Sequence, residues 1–217
     1  MTVRPVKPIA SVRRSSEAIP ASVALIGLSL VSASGAVFPQ NTWLQVGPVI
    51  AFAFLFPWLT RRWNLSYPAV LCITSFLVIH LFAAHWTYSD VPYDRWLGTI
   101  GIDAQAILGS KRNMFDRLVH LSFGLCAVLP VIEFEQNQAG VDRRLAYRLA
   151  ILFVLASSAS YEIFEWLIAV LMSPQAAEAY NGQQGDAFDS QKDMAMAALG
   201  AVIALAFIGI NRRKGRP

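Results

Sequence analysis

The stretch Tyr161-Glu-Ile-Phe-Glu-Trp166 sets two carboxylates in the middle of a long apolar run, and nothing else in the chain constrains its fold as strongly. Residues 147 to 172 read as one membrane-spanning helix. An ionisable side chain at bilayer depth costs about 2.5 to 3.5 kcal/mol even on lenient insertion scales. Glu162 and Glu165 are three residues apart and share one helix face, so both can point into a bundle interior. There they need partners. The sequence offers Asp116 and His120 on one segment, Asp189 and Asp193 on another, and His80 and His85 near the end of a third.

Apolar residues make up 55% of the 217, charged residues only 15%. The apolar ones fall in blocks of about 17 to 25, which places the chain among polytopic all-α membrane proteins and leaves no room for a separate soluble domain. The net charge of +4 concentrates at the ends and in two loops. That pattern orients a membrane protein, so the expected partners are membrane lipids and not nucleic acid; protein partners are not specified. Cys72 and Cys126 lie inside apolar segments without metal-ligand spacing and read as small core residues.

In chain order, a basic tail over residues 1–18, with Arg4, Lys7, Arg13 and Arg14, precedes a first span at 19–38. Small residues at Ser32-Ala33-Ser34-Gly35-Ala36 resemble a signal-peptidase site, but the further spans favour a retained helix. The next spans are expected at 43–59, interrupted by Pro48 and Pro57, and at 67–85. A hydrophilic, aromatic-rich loop over 86–113 is too long for a linker and reads as a lid or interfacial helix. Spans at 114–134, 147–172 and 190–210 follow, then a basic tail at 211–217. Lys and Arg mark the loops at 61–62 and 143–148 and both tails, which predicts a single transmembrane domain of about six helices over 19–210 with both termini cytoplasmic.

Depth is the test of whether the polar groups meet. At about 1.5 Å per residue, Glu165 and Glu162 lie roughly 10 and 15 Å below the outer boundary, and Asp116, His120, Asp189, Asp193 and His85 occupy the same outer half. Each has a plainer reading. Asp116 and Asp189 stand where acidic residues favour a helix start, and His80 reads as an interior histidine. Ala197, Gly200, Ala201 and Ala204 permit close packing of the last helix, which would bring Asp193 near its neighbours. Carboxylate and imidazole groups at these spacings can hold a divalent ion such as Zn, Mn or Fe. Without one, four or five close carboxylates cannot all ionise, which is how a general acid or proton relay is built.

Four motifs, His85-Trp-Thr-Tyr-Ser-Asp-Val-Pro92, Arg112-Asn-x-x-Asp-Arg-x-x-His120, Tyr161-Glu-x-x-Glu-Trp166 and Gln184-Gly-Asp-x-x-Asp-x-Gln-x-Asp-Met194, together resemble the YjdF-like family of bacterial inner-membrane proteins over residues 43 to 210. The resemblance implies a multi-pass inner-membrane protein and, by itself, no reaction. A weaker likeness extends to VanZ-like membrane proteins, where Asp116, His120, Glu162, Asp189, Asp193 and Gly200 match the order and Glu165 replaces a Gln. That likeness implies a role at the cell envelope.

These readings converge on an expected enzyme acting, with a metal, on a lipid or envelope precursor. Asp116, His120, Glu162 and Glu165 would be catalytic, and the same four with His85, Asp189 and Asp193 would be candidate ligands of a divalent ion. A proton or small-cation transporter using the same carboxylates, and a structural component of a complex, are the alternatives.

Overall fold

The computed structural model describes residues 17–214. The basic N-terminal tail, apart from Glu17 and Ala18, and residues 215–217 lie outside them. The described residues form helices and connecting turns with no strand. In order these are α1 (Ala18–Ala33), α2 (Pro39–Arg62), α3 (Tyr67–His85), α4 (Tyr93–Gly98), α5 (Ala104–Leu108), α6 (Phe115–Gln138), α7 (Arg143–Leu171), α8 (Pro174–Asn181) and α9 (Asp189–Lys214).

Five of them, α2, α3, α6, α7 and α9, are long and apolar enough to cross a membrane. Their outward faces carry Phe54, Trp58, Trp166, Leu171 and Phe207, all exposed, as expected of helices whose solvent is lipid. The first apolar run is shorter than its hydropathy indicates. α1 has 16 residues and rises about 24 Å, because the chain turns at Gly35, whose φ of 66° suits a residue without a Cβ.

Local signals set the helix boundaries. Pro39 opens α2 in its first turn, where a missing N–H costs nothing. Ser66 caps α3, its hydroxyl accepting the Ala69 N–H. The Asp142 carboxylate caps α7 by accepting the N–H groups of Arg144 and Leu145 at 2.7 and 3.1 Å.

α6 is the central helix, packed against α3, α7 and α9. One core gathers Leu25, Val46, Phe56, Leu81 and Val119 from α1, α2, α3 and α6. The other gathers Val128, Ile132, Ala150, Val154, Ala197 and Ala201 from α6, α7 and α9. At the α6–α9 seam a Cβ on Gly124 would run into the backbone of Ala197, and one on Gly200 into the backbone at Leu121 and Leu125. The small-residue pattern of the last helix thus becomes direct backbone contact.

The connections sort to two ends. At one, the Asn137 amide donates to the carbonyls of Trp63 and Asn64, and Arg62 donates to Gln138. At the other, the 86–113 segment meets the 181–189 segment, with Ser89 donating to the Gly182 carbonyl and Asn113 N–H to Gln184. The long loop folds into α4 and α5 and docks through aromatic contacts, Trp96 against Phe82 and Tyr93 against Phe115.

Candidate functional site

The second of these ends holds the polar cluster. The Asn113 side chain accepts the Phe115 N–H at the start of α6, and Asp116, in the first turn, turns inward and is 7% exposed. His120, one turn on, is equally buried. Glu162 comes from α7, and Asp189 and Asp193 from successive turns of α9; each is 6% exposed or less. Close packing at Gly124 and Gly200 draws α9 against α6 just inward of these residues.

The His120 Nε2 atom is the hub. It lies 3.6 Å from Asp116 Oδ1, 3.8 Å from Glu162 Oε1 and 3.9 Å from Asp193 Oδ1. These separations are too long for hydrogen bonds. They match the spacing between ligands of a shared ion, since ligand bonds of about 2.0–2.2 Å in a tetrahedral site place ligand atoms roughly 3.4 Å apart. Ligand atoms of Asp116, His120 and Asp193 all lie within 4.8 Å of one another. Neither Glu162 oxygen has a hydrogen-bond partner, nor does Asp193 Oδ1; the Ser190 hydroxyl stands beside Glu162 without completing a bond of normal geometry.

Arg117 had no role in the sequence reading, yet it sits in this cluster at 4% exposure. Its guanidinium pairs with Asp193 Oδ2 and, at 2.5 Å, with Asp189 Oδ1. It also donates to the Asp189 carbonyl at 3.1 Å. Arg112 reaches the same Asp189 oxygen at 2.5 Å and donates to the Gln183 carbonyl. An arginine within an apolar span is as costly as a carboxylate, so Arg117 was itself a signal of buried counter-charge. Its fork divides Asp193, engaging one oxygen and leaving the other toward His120.

Of the remaining sequence candidates, Glu165 borders the cluster, close enough to feel the charges of Asp116 and Glu162, and the two other histidines are engaged elsewhere. Glu165, one turn outward of Glu162, is half-buried, and its backbone carbonyl accepts from Asn181. His85 faces α1: its Nδ1–H donates to the Ser32 carbonyl at 2.9 Å and its ring meets Trp86 edge-on. His80 is engaged at both nitrogens, by the Gln45 carbonyl at 3.2 Å and the Tyr88 hydroxyl at 2.5 Å. Tyr88 is aimed inward by two consecutive residues at positive φ, Thr87 at 47° and Tyr88 at 61°, an uncommon backbone for side chains of this size. Burial holds the Tyr88 phenol well above its usual pKa and pushes that of Tyr180 up to about 12, so both remain hydrogen-bond donors at any ordinary pH.

Beside the cluster lies a cavity of about 450 Å³ with mostly apolar walls. His120 belongs to both, since it lines the cavity together with Phe123, Tyr161 and residues of α2 and α3.

Comparison with known proteins adds two findings. A family described as "Predicted membrane protein (DUF2238)" matches residues 19–214, a span that contains every residue of the cluster. The "Inner membrane protein YjdF" of Escherichia coli (strain K12) is 32% identical over 189 residues, covering 86% of this chain and 87% of that protein. No solved structure matches.

Proposed function

The chain belongs to the DUF2238 family of predicted membrane proteins and is a multi-pass protein of the inner membrane; from that premise we propose that it is a metal-assisted enzyme acting on a lipid or envelope precursor. The single observation that carries this reading is the convergence of three carboxylate oxygens on His120 Nε2 at 3.6–3.9 Å, beside a cavity that shares His120. In this proposal α1 completes a six-span domain with both termini cytoplasmic, and the cluster opens to the periplasmic side. Lys and Arg in the loops at 61–62 and 143–148 support that orientation.

Asp116, His120, Glu162 and Asp193 are the proposed ligands. One imidazole with several carboxylates suits Mn, Fe or Zn. Such an ion supplies Lewis acidity and a nucleophilic water near neutral pH. Arg117 fixes Asp193 and Asp189 in place and offsets part of the acidic charge. Glu165, one turn outward, would exchange protons with a leaving group, and the 86–113 segment would cover the substrate.

The ion pairs of Arg117 favour a second reading, a structural lock between α6 and α9. The test is turnover. Purified protein in detergent with Mn or Zn is incubated with an envelope lipid extract, and products are followed by mass spectrometry. The enzyme reading expects a product that disappears with chelator and in Glu162→Gln. Unchanged lipid with a fully loaded protein would leave the structural lock.

A further inference from the structure

α2 and α7 are not packed backbone against backbone, and the cavity lies between them with α3 and α6 as its floor and α8, which packs against both, at its loop end. Its lips, Leu44 on α2 and Phe164 on α7, are 44% and 42% exposed. Since α2 and α7 are both among the spans, a gap between them opens sideways into the hydrocarbon of the bilayer. Whatever enters by that route is drawn from the membrane.

The interior is not uniformly apolar. Gln45 is 4% exposed, and both polar atoms of its side-chain amide are buried without a hydrogen-bond partner. Ser158 is 2% exposed, and its hydroxyl is likewise unpartnered. Both residues line the cavity. Buried amides and hydroxyls in folded proteins are nearly always paired, so a donor, an acceptor and a hydroxyl left unpaired on the α2 and α7 sides of one apolar cavity mark where a ligand presents polar atoms.

The walls are also graded. Toward the loop end stand Tyr88, Tyr161 and Tyr180, with His120 of the acidic cluster. Inward are Phe123, one turn beyond His120, and Phe52, about two turns beyond Gln45. Polar at one end, apolar at the other and open along the side, the cavity has the polarity of an amphiphile.

We propose that this cleft binds an acylated membrane amphiphile admitted laterally between α2 and α7, its chain lying inward against Phe52 and Phe123. The Gln45 amide donates to the carbonyl of the ester or amide linkage, Ser158 donates to a second oxygen, and the headgroup rests beside His120. This deepens the proposed function by naming its substrate class. A plain isoprenoid chain would leave Gln45 and Ser158 unpaired, so the acyl linkage is the better match.

The experiment uses the full chain in nanodiscs containing phosphatidylglycerol with a diazirine midway along one acyl chain, irradiated and mapped by mass spectrometry. Labelling should concentrate on Val49, Phe52 and Ser157, severalfold above the outward-facing Phe54 and Leu152. Gln45→Leu, which removes the amide at similar volume, should reduce cleft labelling severalfold. Ser157→Trp, at a half-buried position, should block the cleft while outward labelling persists. Uniform labelling around the wild-type bundle, or Gln45→Leu labelling as wild type does, would overturn the proposal. Glu162→Gln separates the two readings, because it should lose metal and turnover yet keep cleft labelling. Cleft labelling without turnover would sink the enzyme alone, and turnover with uniform labelling would sink this inference alone.

Discussion

Glu133 and Glu162 are each 6% exposed, yet their surroundings differ in every other respect. Glu133, near the inward end of α6, accepts the Ser66 N–H at 2.7 Å and the Ser66 hydroxyl at 2.6 Å. Both of its oxygens are occupied, and it ties the start of α3 to α6. Glu162 sits toward the other end with neither oxygen bonded and the imidazole of His120 3.8 Å away. Burial alone therefore does not mark a site in this bundle. A carboxylate saturated by its own fold is a structural device, and one held unsaturated among others is available to a ligand.

Moving α6 away from α9 should break the comparison most severely. Gly124→Leu drives a side chain into the Ala197 backbone and should cost more than about 4 kcal/mol, above the roughly 1–3 kcal/mol usual for overpacking, because the atoms it meets are backbone and cannot turn away. The check is the yield of monodisperse protein in detergent, and near-wild-type yield would contradict the packing described. Arg117→Met comes next, because it strands Asp193, while Asp189 keeps Arg112; breaking such a buried pair costs about 3–5 kcal/mol. Arg117→Lys should recover only part, since an ammonium lacks the fork that spans two carboxylates. Unfolding in detergent measures both.

Glu133→Ala should cost about 2–4 kcal/mol, the loss of two charge-assisted bonds that leaves both Ser66 donors without their acceptor. Glu162→Gln sharpens the contrast: it removes a charge that has no bonded partner, so stability should stay within about 1 kcal/mol of wild type or rise. If the two substitutions destabilised equally, the distinction between saturated and unsaturated carboxylates would fall. The smallest effect lies at the half-buried Asp186, whose pKa is held below the usual aspartate range by Lys192 at 2.7 Å and by the Phe188 N–H. A depressed folded pKa stabilises above the unfolded value and is lost as pH falls through the folded one. Lys192→Ala should therefore shift thermal stability slightly near neutral pH and not at all in strong acid.

Much of this was legible in the sequence. Apolar blocks separated by basic loops gave the long helices, and helical rise from a common boundary placed Asp116, His120, Glu162 and Asp193 at one depth. The small residues of α9 signalled the close approach that brings Asp193 in. What escaped depends on rotation and on gaps between helices. His85 shares the depth of the cluster but faces Ser32 of α1, and spacing along one helix cannot report which neighbour it meets. Arg117 was visible as a charge beside Asp116, but its role appears only once α9 lies opposite. The cleft arises because α2 and α7 do not pack backbone against backbone, a property of the assembled bundle and of no single segment.

The central claim is that the cluster around His120 holds a divalent ion. Its most direct test is elemental analysis of detergent-purified wild type beside a His120→Ala, Glu162→Gln double variant of matched folding. The account predicts a stoichiometric metal in the wild type and none in the variant. No metal in either, or equal metal in both, would contradict it.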